Sequence, residues 1–250
     1  NKLDNFIQTK NLEIIKKNLS KKIGIYIDVG AHNGEMIKTI SKEFTINKIF
    51  AFEPNPDCLN NLKNLKKKNL KIFEMALGEN PGFTKLNIGH ISSMSTLNEI
   101  NYSSFYTKIK RFVITLFYFK NSIYKKKIRV KKEVLFNVLK NHKIENIDLI
   151  KIDTEGHEFN VLKGLKNYIK KTKIILLEFH YDDSIIKNYD FQKMNFFFTK
   201  NGFKLISKNK MILRKGYEII YKNLKNFKKA WVFENNIHLN LLLNHIYLMC

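Results

Sequence analysis

The sequence predicts an α/β fold built on a doubly wound, mostly parallel seven-stranded sheet. Three observations predict it. Short apolar runs alternate with segments of helical spacing, the pattern of repeated strand and helix units. The first run ends in a glycine-bearing turn, "DVGAHNG" (28–34), that opens a helix. The 250 residues, 44% of them hydrophobic, suffice for one sizeable core, and no repeat or Pro/Gly/Ser-rich linker divides them. One domain over 1–250 is expected. Its core covers about 20–235, with an inserted lid-like segment at about 101–128 and an apolar C-terminal tail.

"KIGIYIDVG" (22–30) reads as a buried strand. "GEMIKTISKEF" (34–44) places Met36, Ile37, Ile40 and Phe44 at helical spacing. "KIFAFE" (48–53) is a second strand. "PDCLNNLKNLKK" (56–67) is a helix with Pro56 in its first turn. "LKIFEMAL" (70–77) is a third strand, and "NIDLIKID" (146–153) and "KIILLEF" (173–179) flank a helix over 157–170. "FQKMNFFFTKNGF" (191–203) is a helix stopped by Gly202. Strands near 203–208 and 230–234 are expected to close the sheet. The stretch 101–128 breaks this rhythm with aromatic residues among cations. It reads as a helical lid, as an ordinary insertion packed on the core, or as a segment with affinity for a membrane surface.

The net charge of +23 comes almost wholly from lysine, since Arg111, Arg129 and Arg214 are the only arginines. Planar, bidentate phosphate contacts favour arginine, so residue bias explains the charge better than a nucleic-acid patch. Cys58 and Cys250 form no metal-binding spacing and no disulfide framework. With polar first residues that lack a secretory pattern, a cytoplasmic location is expected, with peripheral contact at the inner membrane surface as the second expectation. The longest apolar runs fall short of the ~20 residues that span a bilayer.

In a doubly wound sheet the ligand crevice lies at the carboxyl ends of the strands. Gly30 and Gly34 allow a sharp turn and close backbone approach there. Glu53 ends the second strand, where a carboxylate accepts hydrogen bonds from a ribose diol. The G-x-G pair of nicotinamide folds is missing, and Asp28 is badly placed beside a pyrophosphate. Asp28 suits an ammonium instead. S-adenosylmethionine has a ribose, an amino-acid end and a sulfonium, and no phosphate, so it is the expected cofactor.

"IDLIKIDTEGHEFNVLKGL" (147–165) gathers carboxylates at a strand-to-helix junction. Asp153 and Glu155 stand two apart and so face one way, over the crevice. Carboxylates on an apolar strand are costly without partners. Asp153 and Glu155 are therefore the first candidates for substrate binding or for general-base work, with His157 and His180 as further proton acceptors. Glu158, at the helix start, also reads as a capping acid. Asp153, Glu155 and Glu178 offer hard oxygens to a divalent metal, but no compact ligand motif is present and no metal is expected.

"YIDVGAHNGEMI" (26–37), "FAFEPNPDCLNNLKNL" (50–65), "EMALGE" (74–79), "SSMSTL" (92–97), the 147–165 segment and "ILLEFH" (175–180) together resemble the FkbM-type methyltransferases. The resemblance covers about residues 20–180 in order. It implies a class I, Rossmann-like fold and S-adenosylmethionine-dependent methylation, usually of a hydroxyl on a sugar, glycan or small metabolite. It places Asp28, Gly30, Ala31 and Gly34 around the methionine end and Glu53, followed by Pro54, on the ribose. It sets the Ala76–Leu77–Gly78 turn near adenine, and Asn33 and Ser95 close to cofactor or substrate. The chain departs from the family in 101–128, and "KKEVLFNVL" (131–139) replaces the usual Thr-Leu-Asp word. The residues leave two rivals. One is an RNA methyltransferase, for which aromatics among lysines would stack bases. The other is a non-catalytic binding protein that keeps the fold. A small-molecule or glycan hydroxyl acceptor is expected ahead of nucleic acid.

Overall fold

The structure, a computed structural model, describes residues 2–212 and 214–225. Seven strands form the main sheet: β1 (Lys22–Val29), β2 (Thr45–Phe52), β3 (Leu70–Phe73), β7 (Ile147–Ile152), β8 (Thr172–His180), β9 (Phe203–Lys210) and β10 (Gly216–Asn223). Their order is β3-β2-β1-β7-β8-β10-β9. Only β10 is reversed, pairing antiparallel with both β8 and β9. The chain winds outward from β1 to β3, then returns to place β7 on the other side of β1. That reversal creates a crevice at the strand tips.

Period-two burial on both faces explains why the sheet is covered twice. Ile27, Val29, Phe50, Phe52, Ile150 and Ile152 join one core cluster. Their alternates Tyr26, Ile49, Ala51 and Leu149 join the other. Helices α5 (Leu135–Asn141), α6 (Glu158–Gly164) and α7 (Phe191–Lys200) supply residues to the first cluster. Helices α1 (Lys2–Asn18), α2 (Glu35–Glu43) and α3 (Pro56–Lys63) supply the second. Local chemistry sets the helix ends. The Asn55 side chain accepts from the Asp57 N–H at 3.1 Å, with Pro56 in the first turn of α3. Asp190 accepts from the Lys193 N–H at 2.7 Å and starts α7.

Several expectations are corrected. The stretch 70–77 is not one strand: β3 ends at Phe73, and β4 (Ala76–Leu77) joins a separate three-stranded sheet. That sheet, ordered β4-β6-β5, contains β5 (Gly82–Gly89) and β6 (Tyr124–Glu133), neither of which was anticipated. The helix expected over 157–170 is α6 followed by a 3-10 turn, Lys166–Lys171. The sheet is closed by β10, and the strand expected at 230–234 lies outside the described residues. Within 101–128 the chain forms helix α4 (Phe105–Tyr118) and then enters β6. Among the described residues no helix is long and apolar enough to cross a membrane.

Candidate active site

A cavity of about 470 Å³ opens at the carboxyl ends of β1, β2, β7 and β8. Of the residues singled out for a cofactor, Gly30, Ala31, Glu53, Pro54, Ala76, Leu77 and Ser95 line it. Glycine at 30 is set by backbone crowding: its φ is +73°, and an added Cβ would stand 1.8 Å from the Asp153 carbonyl oxygen. The loop therefore rests directly on the tip of β7. Glu53 is held from both sides. It accepts from the His32 N–H and from the Asn55 N–H, each at 2.8 Å. Each oxygen keeps a second lone pair for a hydroxyl donor. Burial raises its carboxyl above the ordinary range, against the pull of those amides. Ser95 donates to the Ser92 carbonyl at 2.8 Å and so fixes the loop on the facing wall.

Asp28, Asn33 and Gly34 stand elsewhere. Asp28 is fully buried beneath the cavity floor, 3.5 Å from the Lys151 ammonium, and burial pushes its carboxyl up. Lys151, unremarked in the sequence, lines the cavity in its place. It ion-pairs with Asp153 at 3.1 Å and donates to the Gly30 carbonyl at 3.1 Å. Burial works against its charge, but Asp153 and Asp28 outweigh burial and raise it. Its signal was a lysine between Ile150 and Ile152 on a strand beside Asp28. Asn33 accepts from Asn61 at 3.0 Å and so ties the α2 entry to α3. Gly34 precedes α2 at φ 79°, packed under Leu62 and Leu65.

The opposite wall is carboxylate-rich. Asp153, Glu155, Glu178 and Glu218 line the cavity together with Arg214. Arg214 Nη1 lies 3.4 Å from both Glu155 and Glu178. His180, just behind the wall, places Nε2 2.9 Å from Glu178 and 3.3 Å from Glu155. Burial pushes Glu155 up to about 7, opposed by His180. Burial also works against the His180 charge, but Glu155 and Glu178 lift it to about 10. The imidazole is thus held protonated at neutral pH, which removes it as a resting proton acceptor. Glu155, Glu178 and His180 bring three ligand-type atoms within 4.8 Å of one another. Arg214 and the His180 imidazolium supply the cationic charge those carboxylates need.

Glu158 answers why the junction is so acidic. Buried at the start of α6, its Oε1 accepts from the N–H groups of Thr154 (3.0 Å) and Gly156 (2.9 Å). Its Oε2 accepts from the Tyr189 hydroxyl at 2.5 Å. This clamp holds Glu155 at φ 50° and Gly156 at φ 99° and turns the Glu155 side chain to the cavity. His157 points away. Its Nδ1 meets Asn98 Oδ1 at 2.8 Å, it does not line the cavity, and burial with nearby Lys132 lowers it to about 4.

These groups fit S-adenosylmethionine. Glu53 offers acceptors to a ribose diol. Ala76, Leu77 and Leu86 give apolar wall for a purine. Two carboxylates around the one Lys151 ammonium suit an amino-acid end better than a pyrophosphate.

The sequence matches the model of the methyltransferase FkbM domain over residues 28–205. A search of curated protein sequences returned no match. Among solved structures, methyltransferase FkbM from Methylobacillus flagellatus KT superposes with a TM-score of 0.52 at 13% identity, covering 82% of this chain and 44% of that one. The chain thus spans less than half of that protein, and the likeness shows the fold. TrmK from M. capricolum, in complex with S-adenosyl-homocysteine, gives 0.45 at 15% identity, over 86% of this chain and 68% of that one. Precorrin-6y C5,15-methyltransferase from Geobacter metallireducens GS-15 gives 0.45 at 14% identity, over 86% of each chain. With the domain model spanning more than two thirds of its length, the chain belongs to the FkbM methyltransferase family.

Proposed function

We propose that this methyltransferase moves the methyl group of S-adenosylmethionine to a hydroxyl oxygen of a sugar, glycan or small metabolite. The observation that carries this reading is the buried carboxylate wall facing Glu53 across one cavity, with Glu155 raised to about 7. The cofactor supplies an electrophilic methyl on a sulfonium. The protein's share is to bind, align and take up a proton.

Glu53 accepts the ribose hydroxyls. Asp153, fixed by Lys151, holds a polar end of the bound pair. Glu155 takes the acceptor hydroxyl's proton as the oxygen forms its bond to carbon. A base poised near neutral pH is well matched to that task, and general-base help is worth about 10²–10⁴-fold. Arg214 keeps Glu178 and Glu155 from repelling each other. Alignment of oxygen and methyl contributes several kcal/mol more.

The first test is calorimetric titration of S-adenosylmethionine into the protein, with NAD as control ligand. Micromolar binding that Glu53→Ala loses, with none for NAD, is expected. Absence of binding by folded protein sinks the reading. The second test is the pH profile of methyl transfer to hydroxylated sugars, read as S-adenosylhomocysteine release. Glu155 works only when deprotonated, so kcat/KM rises with pH and levels off above about 7. Glu155→Gln should lower kcat/KM about 100-fold and flatten that limb. An unchanged limb assigns the base elsewhere.

A further inference from the structure

We propose that α4 is a docking helix that lies in the surface of an anionic lipid bilayer. Phe105, Ile109, Phe112 and Leu116 are spaced i, i+4, i+7 and i+11, which makes one ridge along the helix. A ridge of this kind normally faces a core. Here it faces out: Phe105 is 75% exposed, Phe112 68% and Leu116 57%. Phe117 continues the apolar surface beside the ridge, and Phe119, in a left-handed conformation after the helix end, is 88% exposed.

The opposite side of the helix is anchored. Thr107 and Ile114 are buried. Ser104 donates to Asp183 at 2.6 Å, and Lys110 donates to Ser184 at 3.0 Å. Lys215 lies over the Tyr106 ring at 5.0 Å. So α4 is clamped to the segment that leaves His180 and to the residue after Arg214, beside the cavity, with its apolar ridge turned away from the other described residues.

Charge complementarity selects the occupant. No acidic residue stands between Glu99 and Glu133, a stretch that holds ten lysines and arginines. Lys108, Arg111 and Lys120 are exposed around the ridge. An apolar ridge bordered by cations is what inserts at the boundary between headgroups and acyl chains, and anionic lipids strengthen that binding. A second copy is disfavoured, because a two-fold contact would bring this cationic stretch against itself. A nucleic acid would stack bases on Phe105 and Phe112 but has nothing for the aliphatic Ile109 and Leu116 between and beyond them, whereas acyl chains cover the whole ridge. A helix of 14 residues lies on a membrane and does not span it.

The test is co-sedimentation of the full chain with vesicles of phosphatidylcholine alone and of phosphatidylcholine mixed equally with phosphatidylglycerol. Wild type should pellet with the mixed vesicles at least about ten-fold more than with the neutral ones. Phe112→Glu with Leu116→Glu should lose that binding about ten-fold or more while keeping S-adenosylmethionine affinity, which shows that the fold is intact. Phe112→Trp should show blue-shifted emission on vesicle addition. Wild type remaining in solution with both vesicles overturns the proposal, as does a double variant that pellets equally. A dimer in solution that the double substitution splits assigns the ridge to a second copy. A single-stranded RNA shift lost with the same substitutions assigns it to nucleic acid. This inference stands independently of the methyl acceptor.

Discussion

Glu218, on β10, is drawn into the cavity wall beside Glu178 and Asp153. Asn11 donates to it from α1, yet burial, with Glu178 and Asp153 adding to it, lifts its carboxyl to about 7. The folded chain therefore holds this proton more tightly than the unfolded chain, whose value is 4.5. The stability this contributes is fully present below about pH 4.5 and is lost as pH rises through about 7. Glu218→Gln should remove that loss. Urea unfolding should show the variant more stable than wild type at pH 8 by on the order of 1 kcal/mol, and close to wild type at pH 4.5. A variant no more stable at pH 8 places Glu218 in a better-solvated site. Nothing in "KGYEIIYKN" marks this glutamate, because its carboxylate neighbours come from β7 and β8. Glu53 and Asp153 were legible because each directly follows a strand that its own apolar run announces, and Glu155 because it stands two residues farther on, in the turn that leaves β7. Arg214 was not, since its meaning depends on Glu155 and Glu178 from distant parts of the chain, and Lys151 was not, since its charge answers Asp28 on β1 as well as Asp153 beside it. His157 was singled out for its neighbours in sequence, and the turn after Gly156 carries it to the other side.

The β7–α6 junction works as one device, and Tyr189 is the part of it farthest away in sequence. Its hydroxyl reaches Glu158 at 2.5 Å, and its ring stacks on Phe159 at 5.2 Å. Removing the hydroxyl leaves Glu158 with its loop donors, the Thr154 N–H and hydroxyl and the Gly156 N–H, but one bare buried oxygen. Tyr189→Phe should cost about 1–3 kcal/mol in urea unfolding. It should also lower kcat more than it raises KM for S-adenosylmethionine, because Glu155 is then less firmly aimed. An unchanged kcat would confine Tyr189 to stability. The main strands and several helices here were readable from period and turn residues, as Pro56 and Gly202 show. The second sheet was not. In "YKKKIRVKKE" the apolar residues Ile128 and Val130 alternate with cations too briefly to announce a strand. Their partners Leu86 and Thr84 lie about 40 residues upstream, beyond any local signal. The split of 70–77 follows from the same cause, since β4 is claimed by β6.

Across the fold, stability is distributed unevenly. β1, β7 and β8 lie inside a sheet covered on both faces, and Ile27, Ile150, Ile152 and Ile175 are fully buried. α4 fully buries only Thr107 and Ile114 along its length and exposes its apolar side to water. Amides in the centre of the sheet open only with global unfolding, whereas a helix held along one narrow edge opens locally. Native-state hydrogen exchange should therefore show α4 amides exchanging at least about 100-fold faster than those of β7. Anionic vesicles should slow α4 selectively, because insertion of Phe105, Phe112 and Leu116 gives the helix its missing packing partner. S-adenosylmethionine should instead slow the 28–34 and 153–158 segments, whose amides and carbonyls build the cavity edge. The two ligands thus leave separate footprints on one chain. If α4 is already as protected as β7 in water, its ridge is covered by protein and lipid is not its occupant.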